Sequence, residues 1–264
     1  MTTSPRALDE RVLGTQTVVR ALSVLGVLRR ATTDVGVSEI ARSLSLHTST
    51  VHRILKALVA EGYVSQNPET DRYRLGREAL LLGLAAERNL GFAAAAPVLD
   101  RLRAATGESA NLVVRDGDHG LVVLRVESEQ PLRFTQAVGA RIPLYCTSTG
   151  KALLAYARDP GSELDRLGEL AAMTSRTITS PRALGRELAT VRERGYSVNR
   201  GERIAGVCGV AAPVLEPTSG EATAAVAVQG PDVRLPEERL PQLGALVVDA
   251  AAEIAALLPS DYRI

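Results

Sequence analysis

VSEIARSLSLHTSTVHRILKALVAEGYV, residues 37–64, contains two amphipathic periods separated by the break SLHTS. In the first, Ile40, Ala41 and Leu44 fall on one side of a short helix, and Ser38 stands where an N-cap hydroxyl would satisfy free N–H groups. In the second, Val51, Ile54, Leu55 and Leu58 recur at i, i+3, i+4 and i+7, which predicts a helix over 48–61 that Gly62 stops. Ser49, Thr50, His52, Arg53 and Lys56 are left on its outer side. A helix that enters the major groove needs this distribution, with short polar and basic groups at its N-terminal end and an apolar back. Ser49 and Thr50 suit base edges or phosphates, His52 and Arg53 suit base edges or backbone, and Lys56 suits a phosphate one turn later.

Outward from this block, residues 15–31 read as a preceding helix. Val18, Val19, Leu22, Leu25, Val27 and Leu28 are expected on its apolar face, and Arg29 and Arg30 mark its end. Downstream, 63–66 and 72–75 read as short strands joined by a turn rich in Asn, Pro and Asp, which makes a wing. Arg72 and Arg74 flank Tyr73, and alternation is expected to aim both at a minor groove or at backbone. A lone amphipathic helix with Ser and Arg is usually a plain surface helix. The ordered set of short helix, turn, polar-fronted helix and two-arginine hairpin is what points to DNA. REALLLGLAAERN then reads as a linking helix that leads into a helical stretch over 93–106.

Beyond Gly107 the period changes. ANLVVRDG, GLVVLRVES and PLRFTQAV are short apolar runs bounded by Gly, Asp and Pro, as antiparallel strands are. Helices are expected near 148–157, 163–170 and 181–194, strands at 207–215 and 222–229, and a last helix near 237–258. The order is that of an α+β protein: a winged helix-turn-helix over 12–75, a linker helix over 76–92 and a larger α/β domain over 93–264. A length of 264 residues suits two cores. With 45% apolar and 23% charged residues and no uninterrupted apolar run near bilayer length, the expectation is a soluble, cytoplasmic protein without a membrane partner. The first 14 residues lack the apolar core of a secretory signal. A net charge of +1 confines any nucleic-acid binding to a local surface.

Six segments together resemble the isocitrate lyase regulator (IclR) family of bacterial transcription factors: RALSVLGVL, the 37–64 block, YRLG, GARIPLYCTSTGKALLA, GYSVNRGERIAGVCGVAAPV and AVAVQGP. The resemblance covers nearly the whole chain. It implies a winged helix-turn-helix, a linker helix that helps dimerise, and an effector-binding domain similar to GAF and PAS sensors. It also implies dimers, often paired into tetramers on palindromic operators, acting as repressors or activators. Effectors would be small carboxylates, sugar acids or aromatic compounds, and no cofactor is implied. By matching segments, the effector pocket would use Ser148 and Thr149, the stretch from Asn199 to Gly209 with Glu202 and Cys208, and Ala227 and Gln229, with Phe134 as an apolar wall. Thr149 lies where a helix N-terminus favours a carboxylate. Ala227, Gln229 and Gly209 stand where some members carry other side chains, so effector identity is not implied.

Several of these residues have plainer readings. Glu202 and Arg203 also read as a surface ion pair, Cys146 and Cys208 as small buried hydrophobes, and Lys151 equally as a phosphate or carboxylate ligand at a helix start and as a solvated or interface lysine. The two cysteines offer neither zinc spacing nor a disulfide framework. An enzyme is the competing class. The α/β domain has one His, His119 in a hairpin turn, and lacks a GxSxG elbow, a phosphate loop and a metal-spaced cluster, so neither catalytic nor metal residues are expected.

Overall fold

A computed structural model describes residues 15–258. The leader reading, the first residues of the 12–75 domain and the end of the 93–264 domain lie outside the described residues. The chain divides into two compact units, one to Asn89 and one from Leu90.

In the first unit, α1 (Gln16–Arg30), α2 (Val37–Leu44) and α3 (Thr48–Ala60) precede a two-stranded antiparallel hairpin of β1 (Val64–Gln66) and β2 (Tyr73–Leu75). Val24, Leu28, Ile40, Ala41, Val51, Ile54, Leu55, Val64 and Tyr73 form its core. The inner face of α1 differs from the expected one: Val18, Val19 and Leu22 are exposed, whereas Val24 and Leu28 are buried. The apolar stripe of α1 is wider than this core can cover. Gly36, not Ser38, is the N-cap of α2; Glu39 reaches back to its N–H at 3.4 Å, so a carboxylate does the work expected of the hydroxyl. α4 (Arg77–Leu90) follows, with none of its residues buried.

The second unit begins with a 3-10 turn (Phe92–Ala95) and α5 (Ala96–Thr106). Its sheet is six-stranded and antiparallel, in the order β5-β4-β3-β8-β7-β6. The strands are β3 (Ser109–Asp116), β4 (His119–Val126), β5 (Arg141–Pro143), β6 (Ser197–Arg200), β7 (Val207–Leu215) and β8 (Ala222–Pro231). Strand alternation splits β8 between two cores. Ala224, Val226 and Val228 pack with α5 and α9 (Leu240–Leu257), while Ala225 and Ala227 face α6 (Ser148–Ala155) and α8 (Pro181–Arg194). α7 (Pro160–Leu167) packs on α8. The stretch Glu237–Leu257 is long and apolar enough to cross a membrane by length and composition. Here Leu243, Val247, Ala250, Ala251 and Ile254 are instead buried in the core under β7 and β8.

The expected strand PLRFTQAV is not one. Residues 131–138 are irregular, and side chains take their carbonyls in place of a ladder: Arg234 donates to Leu132 O at 2.9 Å and Arg125 to Gln136 O at 2.9 Å. Between β5 and α6 the chain turns so tightly that a Cβ on Gly150 would overlap the backbone of Leu144. Gly150→Ala is therefore expected to force this turn apart at about 1–3 kcal/mol, lowering the melting temperature by several degrees. An unchanged thermal melt would show that the turn has slack.

Candidate DNA interface and effector pocket

α3 owes its orientation to Val51, Ile54 and Leu55, which are buried, leaving Ser49, His52, Arg53 and Lys56 exposed and Thr50 half-buried. Its N-cap, His47, makes no side-chain cap, and its first turn contains no acid. The wing is more specialised than alternation suggested. β2 starts at Tyr73, Arg74 is exposed, and Arg72 is turned inward: its Nε donates to Asp34 O at 2.8 Å and its Nη2 to both Glu39 oxygens at 2.8 and 2.9 Å. Arg72, hydrogen-bonding first and the Gly36 N–H second, holds the Glu39 carboxyl below its ordinary range. Arg74 thus remains a free wing cation, whereas Arg72 braces the hairpin against α2.

In the second unit, Phe134, Gln136, Thr147, Asn199, Arg203, Ile204, Val207, Gly209 and Gln229 enclose a small cavity. Asn199 comes from β6, Gly209 from β7 and Gln229 from β8, and Asn199 pairs with Gly209, which pairs in turn with Gln229. Thr147 caps α6, its Oγ1 accepting from Gly150 N at 3.1 Å. Ser148 and Thr149 lie within the first turn of α6, fully buried. A Cβ on Gly209 would press on Ser148 Oγ at 2.8 Å, which places that hydroxyl at the wall. Asn199 Oδ1 accepts from Glu202 N at 2.8 Å and so shapes the following loop.

Cys208, Ala227, Glu202 and Lys151 depart from pocket or surface places, while Cys146 is the buried thiol expected of it. Cys208 points away from Gly209 into the α9 core, where burial pushes its thiol up to about 11. Cys146 is likewise buried and raised to about 11. Ala227 sits in the α6-side core, on the same face as Gln229 but not on the cavity lining. Glu202 turns from the cavity to Lys151, Oε1 accepting from Nζ at 2.6 Å. Lys151 is neither solvated nor at a surface: it is 1% exposed and also meets Glu187 at 3.3 Å. Burial raises the Glu202 pKa, against the lowering pull of Lys151. Arg203, Ile204 and Val207 fall inside the expected Asn199 to Gly209 stretch, whereas Gln136 and Thr147 are additions that nothing local in the sequence marks.

A larger open cleft of about 640 Å³ lies beside this ion pair, lined by Lys151, Arg176, Glu187, Arg194, Arg200, Glu202 and Glu237 among others. Its charges largely neutralise one another, with Arg194–Glu187 at 3.1 Å and Arg200–Glu237 at 3.3 Å. The enclosed cavity is lined by two residues with partnerless polar atoms, Arg203 Nη1 and Gln229 Oε1, against one in the cleft, Glu202 Oε2. No cluster of three or more His, Cys, Asp or Glu suited to a metal occurs among the described residues.

Residues 17–68 match the IclR helix-turn-helix domain and residues 84–256 match the bacterial transcriptional regulator IclR C-terminal domain. The chain is 35% identical to the HTH-type transcriptional regulator BhcR of Paracoccus denitrificans over 92% of its own length and 87% of the relative's. It is 33% identical to the acetate operon repressor of Salmonella typhimurium, over 95% and 93%. A crystal structure of a transcriptional regulator of this family from Alicyclobacillus acidocaldarius superposes with a TM-score of 0.82 at 29% identity, covering 91% of this chain and 98% of that one.

Lys151→Met leaves the Glu202 carboxylate buried without its cation, and a loss of about 3–5 kcal/mol is expected. Adding Glu202→Leu should restore most of it. The pH sign follows from the raised carboxyl: a group whose folded pKa exceeds its unfolded value of 4.5 stabilises below that value and ceases to as pH rises through the folded pKa. The deficit of Lys151→Met should thus be smallest below pH 4.5 and grow above it, as urea titrations at several pH values would show. A deficit independent of pH would remove the buried carboxylate as its cause.

Proposed function

The chain belongs to the IclR family of bacterial transcriptional regulators, whose helix-turn-helix binds DNA and whose C-terminal domain binds small-molecule effectors. From that premise we propose that it is a cytoplasmic repressor of a catabolic operon, released from a palindromic operator when an organic, sugar or aromatic acid enters the cavity between Asn199 and Gln229. The observation that carries the DNA half is the exposed N-terminal turn of α3, free of acids, with Ser49, Arg53 and Lys56 at its surface. Arg74 adds a backbone contact from the wing, and Arg72 keeps that wing in place. Repression is favoured by a relative named as a repressor that is matched along almost its full length.

A homodimer, with tetramers from paired dimers, supplies the two recognition helices that a two-fold operator needs. α4 supports this assembly: none of its residues is buried, and Leu80, Leu81, Leu82 and Leu84 stand exposed in one chain. Ligand entry would change the spacing of the two winged helices, and a coupling of about 1–3 kcal/mol shifts operator occupancy 5- to 150-fold.

Fluorescence anisotropy on DNA upstream of the neighbouring operon tests the reading. Arg53→Ala is expected to weaken operator binding with effector affinity intact, and Lys56→Ala to lower the salt slope by about 1. Asn199→Ala should do the reverse, sparing DNA and losing effector. If either change removed both activities, the division of labour between the two units would be wrong.

A further inference from the structure

Among the described residues, six buried side-chain polar atoms have no hydrogen-bond partner: Asn111 Oδ1, Ser148 Oγ, Thr149 Oγ1, Glu202 Oε2, Arg203 Nη1 and Gln229 Oε1. Four of them lie around one place. Arg203 and Gln229 line the enclosed cavity, Ser148 Oγ abuts its Gly209 wall, and Asn111 Nδ2 donates to the lining residue Gln136 at 3.1 Å. A buried group left unpaired costs about 1–3 kcal/mol, more when charged, so their clustering points to a partner that arrives from outside the chain.

The lining decides what that partner is. Of its nine residues only Arg203 carries a formal charge. Burial is the main influence on its guanidinium and pulls its pKa down, and the neighbouring carboxylate, Glu202, is engaged by Lys151. A guanidinium held this way gains most from one carboxylate, which accepts charge-assisted bonds in the fork geometry. A second carboxylate on the ligand would be buried without a cation. Gln229 Oε1 is an acceptor and calls for a donor, which a hydroxyl provides and a keto oxygen does not. Phe134 is the one aromatic ring in the lining, so no second ring is present to sandwich an aromatic ligand.

We propose that Arg203 anchors the effector's carboxylate and that the effector is a small aliphatic hydroxy-monocarboxylate whose hydroxyl donates to Gln229. This rests on the reading of the enclosed cavity as the effector site. As it stands the cavity leaves about 10 Å³ free, room for no more than a water. Entry therefore requires the Arg203–Ile204 segment to move. Gly201 and Gly206 bracket it with φ of 72° and 76°, and Ile204 is 41% exposed at its crest. Closing of that segment over the ligand brings Arg203 onto the carboxylate.

Calorimetric titration of the full-length protein with glycolate, lactate and 3-hydroxybutyrate, and with glycolamide, lactamide and pyruvate, tests the assignment. At least one hydroxy acid should bind, with its amide or keto counterpart weaker by on the order of tenfold or more. Arg203→Gln should erase the preference for acid over amide, Arg203→Lys should keep part of it, and Arg203→Gln without ligand should melt no lower than the parent, since a desolvated charge is removed. Equal binding of acid and amide by the parent, binding by none of the acids, or an acid preference that survives Arg203→Gln overturns the anchor. Gly209→Ala, which presses a Cβ on Ser148 and Gln229, separates the two failures. Acid binding that survives Arg203→Gln but is lost in a folded Gly209→Ala keeps the cavity and discards the anchor; binding that survives both discards the cavity as well.

Discussion

Lys151 is fully enclosed, so its charge is compatible with folding only if carboxylates come to it. Glu202 comes from the loop after β6 at 2.6 Å, and Glu187 from α8 at 3.3 Å. Two walls of the enclosed cavity hang from this contact. Lys151 lies one turn below Thr147, the N-cap of α6, while Glu202 is flanked by Asn199 and Arg203. An apolar pair of equal volume would contribute as much stability or more, but it would not set the separation of helix and loop as a hydrogen-bonded ion pair does. Further bonds fix the loop from behind: Thr177 Oγ1 donates to Glu202 O at 2.6 Å and Thr174 Oγ1 to Gly201 O at 2.7 Å. The stretch that follows is held more lightly, by Val207 N to Ile204 O at 3.2 Å and Asp232 N to Gly206 O at 2.9 Å.

The sheet supplies the third wall by a break in its own pattern. On β8, Ala225 and Ala227 are small enough for α6 to approach closely, and the next residue on that face, Gln229, ends the apolar row with an amide. On β7 the matching sequence is Ala211 and then Gly209, where any side chain would fill the space in front of Ser148. The cavity is therefore the point where close helix–sheet packing stops. Gly150, pressed against Leu144, makes the same approach possible on the helix side.

Much of this was legible in the residues because helices and buried strands carry their own period. The inward faces of α2 and α3, the antiparallel pair β3 and β4, and the long apolar α9 all follow from local spacing. What failed depended on partners distant in sequence. Lys151 at a helix start reads equally as an anion ligand and as a solvated lysine, and nothing near it reveals that Glu202, 51 residues later, closes over it. The segment around Phe134 has strand composition, but Arg125 and Arg234 capture its carbonyls and hold it across the cavity instead. Arg72 reads as a groove-facing cation until Asp34 and Glu39 are seen to engage its guanidinium. Strand alternation did decide the faces once β7 was in place, since it turns Gly209 to the enclosed cavity and Cys208 to the opposite core.

Two helix N-termini do opposite work in this chain. That of α6 is sealed: Thr147 caps it, and Ser148 through Ala155 are all buried. Water is excluded there, so the polar groups of its first turn act at short range in a low-dielectric setting, where an unmatched oxygen or guanidinium discriminates strongly between ligands. That of α3 is open: His47 offers no side-chain cap, the backbone N–H groups of the first turn face solvent-exposed residues, and no acid repels an incoming phosphate. Exposure makes each contact weak and salt-sensitive, which suits a surface that must release DNA when a coupling of only a few kcal/mol is applied. An acid capping α3 would strengthen the helix and repel phosphate, and a counter-ion buried at Arg203 would satisfy a guanidinium that now has a partnerless nitrogen.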